Sequence, residues 1–466
     1  MLLSIAPFFT NDAIVLGILL VVLAIIFHTS SLETSGWKKF YTYVPALLLA
    51  YFIPALLNWP LGLISPHWYD SGLYELLANY DLVLPTGLSY DNITNFLAES
   101  GIPANEYSIL QRHSQLYFVA SRYLLPACLV LLCLGIDFKG LFALGPKALI
   151  MFFTATAGII IGGPVAILFV SYVFPNVIGA SPDELWRGLS TIAGSWIGGG
   201  ANQTAMKEIY EVKDNLFGTM IVVDVVVANI WMGFLLYGAN ISDKIDKWFK
   251  ADNSAIEDLK IRVSTYRASI EKIPTTTSLF ILLGIAFGGV ALSHWAADIL
   301  MPFMQGHSET LNNLRLNSLM SHFFWLIVVS TTFGMILSVT RARKLEGVGA
   351  SRWGSIFIYI LVATIGMKMN LGEVFENLGL FAIGICWMLI HVILLLIVAK
   401  LIKAPFFFVA VGSQANVGGA ASAPVVASAF SPSLAPVGVL MAVLGYALGT
   451  YGAIICATLM QLVSGH

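Results

Sequence analysis

Two stretches decide the fold: Gly194-Ser195-Trp196-Ile197-Gly198-Gly199-Gly200-Ala201-Asn202-Gln203-Thr204 and Gly412-Ser413-Gln414-Ala415-Asn416-Val417-Gly418-Gly419-Ala420-Ala421-Ser422-Ala423-Pro424. Each places glycines, hydroxyls and amides in the middle of a long apolar run. Unpaired backbone and amide groups cost several kcal/mol each in hydrocarbon. We therefore expect each stretch to be a broken or re-entrant element that faces protein or a water-filled cavity, because a lipid-facing helix could not satisfy these polar groups.

The composition around these stretches is that of a membrane protein. Of the 466 residues, 58% are hydrophobic and 11% are charged, whereas roughly a quarter are charged in typical soluble chains. The chain lacks the polar surface that several soluble domains would need. Its net charge of -2 offers no basic surface for nucleic acid. The composition predicts an all-α polytopic protein that has the lipid bilayer as its surroundings.

Twelve apolar runs could each form a membrane segment, at about 20 residues per crossing. They lie at 12–29, 41–57, 117–135, 148–174, 188–210, 215–239, 278–298, 321–339, 354–368, 380–399, 405–429 and 435–461. The two glycine-rich stretches are the fifth and the eleventh of these runs.

The glycine-rich stretches resemble each other and indicate an internal repeat. Aligned without gaps, they share a Gly-Ser start, a glycine and a hydroxyl. The matching pairs are Gly194 with Gly412, Gly200 with Gly418, and Thr204 with Ser422. One long apolar run follows each stretch. The chain therefore reads as two repeats of six segments joined by a polar linker.

Lysine and arginine favour the cytoplasmic side and so test the topology. If all twelve segments crossed, the basic linker 241–277 would share a side with the acidic insert 58–116, whose single basic residue is Arg112. If the two glycine-rich segments enter and leave by one face, the conflict disappears and each repeat has five crossings. We therefore predict inverted repeats, with both termini outside. A broken helix that crosses fully is the alternative for each glycine-rich segment.

The predicted organisation follows from this topology. Residues 241–277 form either an amphipathic surface helix or a solvated connector, and the insert forms a small cap. The order is two transmembrane helices in 1–57, an extracytoplasmic insert in 58–116, the rest of the first repeat in 117–240, a cytoplasmic linker in 241–277, and the second repeat in 278–466.

Inverted repeats with interrupted helices are typical of secondary transporters. A break frees carbonyls for a dehydrated cation and exposes helix N-termini to an anionic group, while side-chain oxygens suit Na⁺ better than a transition metal. The residues predicted to bind solute or ion are Ser195, Asn202, Gln203, Thr204, Asp224, Ser413, Gln414, Asn416 and Ser422. The glycines predicted to be structural are Gly198, Gly199, Gly200, Gly418 and Gly419. The alternative is that these small residues only permit tight helix packing.

Asp224 is an isolated acid inside an apolar run, Ile221 to Asn229. A buried membrane acid is costly, so we expect it to contact an ion, a proton or the solute. The alternative is a protonated acid bound to backbone. Asp137 and Lys368 occupy matching positions of the two repeats and could serve function or the membrane interface.

Motifs of other functions are missing from the sequence. There is no GxxxxGK[ST] loop, HExxH pair or GxSxG turn, so neither ATP-driven transport nor an enzyme is expected. No cofactor and no metal beyond Na⁺ is predicted.

The second stretch carries a family resemblance. The run Gln414 to Val426, continued by Pro432 to Leu440 and Gly445 to Gly452, closely resembles the YjcL-like family of bacterial membrane proteins of unknown function. More distantly, the paired glycine-rich segments are similar to those of sodium/glutamate symporters and bile-acid sodium symporters. That likeness implies a core domain with two broken elements moving against a panel domain, sodium coupling and a homodimer.

The sequence thus predicts a sodium-coupled symporter of a small anionic organic solute, such as an amino acid, a dicarboxylate or a short peptide. One alternative is a proton-coupled antiporter or exporter. Another is a non-transporting membrane sensor whose cap binds a ligand.

Overall fold

The computed structural model describes most of the chain. The described residues are 5–44, 46–85, 90–136, 144–174, 181–251, 273–313, 317–368, 379–431 and 434–464. Asp137 lies outside them, as does most of the linker, with Ile256 and Leu259.

The described chain is almost entirely helical. Its α-helices are α1 Asp12–Ser30, α2 Ser35–Tyr43, α3 Ala46–Asn58, α4 Gly72–Asn79, α5 Tyr90–Glu99, α6 Ala104–Ser108, α7 Leu116–Val119, α8 Leu125–Leu134, α9 Pro146–Val173, α10 Pro182–Ile209, α11 Asp214–Asn240, α12 Ser242–Phe249, α13 Thr276–Gln305, α14 Ser308–Asn313, α15 His322–Ser338, α16 Ala350–Gly366, α17 Gly379–Ile402, α18 Phe406–Val417, α19 Gly419–Phe430 and α20 Ala435–Ser464. A π-helical turn, Ala120–Leu124, joins α7 to α8, and short 3₁₀ helices cover Asn317–Met320 and Arg341–Val348. Every predicted apolar run coincides with a helix or a pair of helices.

Membrane-spanning length is common among these helices. Within the described residues, seven helices are long and apolar enough to cross a bilayer, and α15 with the bent turn after it would make an eighth. The all-α polytopic fold is therefore confirmed. The inverted relation of the two repeats stays a prediction.

One compact unit comprises residues 1–124 and 359–373. Its insert folds around two short antiparallel strands, β1 His67–Tyr69 and β2 Gln111–His113. Tyr69, Leu73 and Leu97 are fully buried in a small core of its own, so the insert is a folded cap. In the same unit, Lys368 places its ammonium 4.1 Å from the centre of the Tyr117 ring, a cation–π contact.

The second unit comprises residues 125–358 and 374–466 and contains both glycine-rich segments. The start of the linker also belongs to it, as the helix α12. Phe249 of α12 is buried in the core, and the Lys400 ammonium lies 4.4 Å from the centre of the Trp248 ring. The described part of the linker is therefore a helix packed on the protein.

Candidate functional site

The first glycine-rich segment, α10, is a hairpin of two helical arms. It breaks at Gly199, whose φ of 75° lies in the left-handed region that favours glycine. Past the break the chain runs back along itself, because a Cβ on Gly194 would lie 2.6 Å from the Asn202 carbonyl oxygen. Near the open end, Arg187 Nη1 donates to the Tyr210 carbonyl at 2.8 Å. We call residues 182–209 hairpin 1.

The second glycine-rich segment folds in the same way. The arms α18 and α19 meet at Gly419, where φ is 58°. Gln414 Nε2 donates across the break to Ser422 Oγ at 2.7 Å, and the rings of Phe407 and Phe430 lie 5.3 Å apart near the open end. We call residues 406–430 hairpin 2.

These contacts decide between the two alternatives that the sequence left open. In both hairpins the first residues of one arm contact the last residues of the other. Each segment therefore begins and ends on the same side, which is the re-entrant arrangement. A helix that crossed fully would hold its ends far apart.

The tips of both hairpins are partly accessible, although hairpin 1 and the first arm of hairpin 2 are otherwise buried around them. From residue 188 to 207, only Gly199 and Gly200 are not fully buried, and from 406 to 419 only Gly418 is not. A Cβ built on Gly200 or on Gly419 would have no neighbour within 4 Å. A small solute or ion can therefore approach the two breaks, and the second arm of hairpin 2 is partly accessible as well, with Val425 50% exposed.

The long helix α20 packs against both hairpins through its glycines. A Cβ on Gly449 would lie 2.5 Å from the Cα of Gly198 in hairpin 1. A Cβ on Gly445 would lie 2.8 Å from the Ile197 carbonyl oxygen and 3.2 Å from that of Ala415 in hairpin 2. Only glycine lets these backbones approach so closely.

The carboxylate of Asp224, on α11, is bound by hairpin 1. Its Oδ1 accepts a hydrogen bond from Trp196 Nε1 at 2.7 Å, and its Oδ2 accepts one from Gln203 Nε2 at 2.9 Å. Ser195 also hydrogen-bonds to it. The structure thus brings together three predicted site residues, Ser195, Gln203 and Asp224, and adds Trp196 to them. The backbone-bound alternative for Asp224 is wrong, because its partners are side chains.

Asn202 ties hairpin 1 to α20. Its Nδ2 donates to the carbonyl oxygens of Gly198 at 3.0 Å and Tyr446 at 3.1 Å, and its Oδ1 accepts from Thr450 Oγ1 at 2.6 Å. Both N–H donors and one acceptor position of this buried amide are thereby filled by protein.

Asn416 repeats this pattern in hairpin 2, with α9 as its partner. Its Nδ2 donates to the carbonyl oxygens of Gly412 at 2.9 Å and Phe152 at 3.3 Å, and its Oδ1 accepts from Thr156 Oγ1 at 2.8 Å. Each asparagine is therefore held by a helix from the other half of the chain. Both act first as residues that position the hairpins.

Ser413 belongs to a buried hydrogen-bonded chain that sequence reasoning missed. Trp231 Nε1 donates to Ser413 Oγ at 2.8 Å, and Ser413 Oγ lies 2.8 Å from His391 Nε2. The other ring nitrogen of His391 lies 3.1 Å from the Ala155 carbonyl oxygen. Nδ1 must donate to that carbonyl, so Nε2 accepts from the Ser413 hydroxyl. A lone histidine in the apolar run of α17 was the available signal.

Two hydroxyls complete the predicted set. Thr204 Oγ1 donates to the Gly200 carbonyl oxygen at 2.9 Å, one turn back along its own arm. Ser422 accepts from Gln414, as described above. Among the described residues, no group of three His, Cys, Asp or Glu could hold a metal ion.

Comparisons with known proteins fit this membrane architecture. The model of a family described as a protein of unknown function, DUF819, matches residues 99–463. The uncharacterized membrane protein YjcL of Bacillus subtilis (strain 168) is 23% identical over 350 residues, which cover 74% of this chain and 83% of YjcL.

Proposed function

Since this chain belongs to DUF819, a family of proteins of unknown function, we propose that it is a secondary active transporter that works by alternating access. One observation carries the proposal. Two re-entrant hairpins are mostly buried near their breaks and partly accessible at Gly199, Gly200 and Gly418. Irregular backbone at membrane depth is tolerated where it is packed in protein or lines a water-filled cavity.

The polarity of the tips supports an anionic solute. The helix α19 begins at Gly419, and no side chain caps its N-terminus. Unbonded amides at a helix N-terminus attract negative charge. A small carboxylate-bearing solute, such as an amino acid, a dicarboxylate or a short peptide, matches this end of hairpin 2.

Sodium is the proposed coupling ion because the groups near the tips are neutral oxygens. Hydroxyls, carboxamides and carbonyls are hard ligands that suit Na⁺. Asp224 is the charged group bound to hairpin 1, so its effect on coupling would act through the position of that hairpin. A bacterial inner-membrane location, external termini and a homodimer complete the proposal.

Uptake into proteoliposomes tests this function. We expect an inward Na⁺ gradient to drive accumulation of at least one radiolabelled solute from a panel of amino acids, dicarboxylates and short peptides. Asn416→Ala should reduce that uptake, because it releases hairpin 2 from α9. The matched control is Asn240→Ala, which removes an exposed carboxamide on α11. Full uptake by Asn416→Ala would contradict the assignment.

Two observations favour other functions and set the remaining arms of the experiment. The buried acid Asp224 favours a proton-coupled antiporter, for which a pH gradient alone would drive transport and Asp224→Asn would abolish it. The separately folded cap favours a sensor. In that case solute would bind the cap, and no gradient would drive flux.

A further inference from the structure

Gln414 has a buried oxygen atom that receives no hydrogen bond from any residue the structure describes. Within the described part of the chain, its Oε1 has no hydrogen-bond partner, although the side chain is only 2% exposed. Its Nε2 donates to Ser422 Oγ across the break of hairpin 2. Buried polar atoms in native proteins nearly always have partners, so an exception calls for a functional explanation.

The surroundings hold this amide in place. A Cβ on Gly418 would collide with both Ser422 Oγ and Gln414 Nε2, so the glycine leaves room for one arrangement of the two side chains. Exchanging the amide oxygen and nitrogen would leave Nε2 without a partner instead. In the orientation that the structure shows, the free atom is the oxygen, which accepts; the exchanged orientation would leave a donor, which suits an anion.

The two helix ends at the break of hairpin 2 suit opposite charges: the N-terminus of α19 suits an anionic group, and the C-terminus of α18, in whose last turn Gln414 lies, suits a cation. Residues 406–430 contain no charged side chain. The helix α18 ends at Val417, and a helix C-terminus carries a negative partial charge. A free acceptor at such a helix end attracts a cation or a charged N–H donor.

We propose that Gln414 Oε1 and Ser422 Oγ bind a positively charged group at the tip of hairpin 2. The group is either the coupling Na⁺ or the ammonium group of an amino-acid solute. The proposal rests on the proposed function, because transport is what brings such a group to the tip. In this proposal Gln414 is the residue of hairpin 2 that contacts the positively charged group directly, whereas Asn416 positions the hairpin.

Thermal unfolding of the purified full chain in detergent tests binding without requiring transport. One arm compares NaCl with choline chloride at equal ionic strength. The other compares methylammonium chloride with choline chloride, and sodium-free acetate serves as the anionic probe. A rise of the unfolding midpoint in Na⁺ assigns the site to the coupling ion, and a rise in methylammonium assigns it to the solute's ammonium group. No rise with either cation overturns the proposal.

Substitutions at Gln414 test the contact itself. Gln414→Glu keeps the acceptor and adds a negative charge, so the apparent affinity for the cation should increase by at least roughly tenfold. Gln414→Leu should abolish the midpoint shift, whereas the exposed control Asn240→Leu should keep it. If Gln414→Leu still shows the cation-dependent rise of the unfolding midpoint, the proposal is overturned. It is also overturned if acetate raises the midpoint of the native chain and Gln414→Glu removes that rise.

The two proposals can fail separately. Cation binding with no gradient-driven uptake would leave the site in place and contradict the transporter. Uptake that is unaffected by Gln414→Leu would leave the transporter in place and contradict the site. If the leucine variant does not fold, the direction of the Gln414→Glu effect decides.

Discussion

Asp224 Oδ1 and Trp196 Nε1 lie 2.7 Å apart, and this hydrogen bond fixes one arm of hairpin 1 to α11. The second oxygen of the same carboxylate holds Gln203 on the other arm at 2.9 Å. One acid thereby binds both arms, one on each side of the break at Gly199. Hairpin 1 and α11 should consequently move together.

The first prediction concerns this carboxylate. Asp224→Asn places an amide N–H₂ opposite an N–H donor, so one of the two hydrogen bonds is lost. We expect the free energy of unfolding to fall by about 1–3 kcal/mol. Thermal or denaturant unfolding in detergent, combined with Trp196→Phe in a double-mutant cycle, measures the coupling between the two side chains. Additive effects of the two substitutions would contradict the bond.

The second prediction concerns the contact of hairpin 1 with α20. Gly449→Ala would place a methyl group 2.5 Å from the Cα of Gly198, so the backbones must separate. We expect a loss of about 1–3 kcal/mol of stability. Gly284→Ala is the control, because a Cβ there has no neighbour within 4 Å, and it should change stability by less than about 0.5 kcal/mol. Equal effects of the two substitutions would refute the close approach.

The third prediction compares the two threonines that bind the hairpin asparagines. Thr450→Val and Thr156→Val each keep the side-chain shape and remove the hydroxyl that donates to an asparagine oxygen. Each should cost about 1 kcal/mol. Thr458→Val is the control on α20, because that hydroxyl bonds only one turn back, to Ile454. If the control costs as much as the other two, the contacts between halves contribute nothing specific.

The fourth prediction concerns the start of hairpin 2. The backbone N–H of Phe406 donates to Asp246 Oδ1 at 2.7 Å, so α12 caps the first arm. Asp246→Ala should speed hydrogen exchange of the first amides of α18 and cost about 1 kcal/mol. Asp246→Asn retains an acceptor oxygen and should largely restore protection. The exposed Asp243→Ala is the control, and unchanged exchange in Asp246→Ala would show that the cap is unimportant.

The fifth prediction is a pH dependence at the open end of hairpin 1. Lys213 Nζ lies 2.6 Å from Glu184 Oε1, and this hydrogen bond lowers the pKa of Glu184 from its usual value of 4.5. Because the folded pKa is depressed, the stabilisation is present above pH 4.5 and fades as the pH falls below it through the folded pKa.

Paired measurements of the unfolding midpoint test this dependence. Glu184→Gln should lower the midpoint slightly at neutral pH, because both partners are partly exposed, and the difference from the native chain should vanish in acid. The exposed carboxylate of Glu211 provides the control substitution, Glu211→Gln. A difference that is constant across the acid range would exclude the ion pair as its source.

The sequence predicted the elements of this fold better than their partners. Apolar length located the long helices, and Gly199 and Gly419, both predicted to be structural, lie at the two breaks, because hydrocarbon excludes unpaired backbone. The hairpin geometry could not follow from composition, since it depends on contacts such as that of Arg187 with Tyr210. Thr156 and Thr450 were missed because lone hydroxyls in apolar runs usually bond to their own helix.

The binding residues show the same division. The sequence singled out Asp224 and the amides, since polar groups in apolar runs need partners. It could not distinguish Asn202 and Asn416, whose hydrogen bonds are filled by protein, from Gln414, whose oxygen is free. That distinction depends on neighbours more than two hundred positions away in the chain.

Because each hairpin is held by a helix from the other half of the chain, the order in which the halves are synthesised matters for folding. Hairpin 2 finds its partner helix, α9, already made, but hairpin 1 is synthesised long before Thr450 emerges from the ribosome. Until then Asn202 lacks the acceptor and donor that α20 supplies. Hairpin 1 can therefore complete the hydrogen bonds of Asn202 only after α20 has been synthesised.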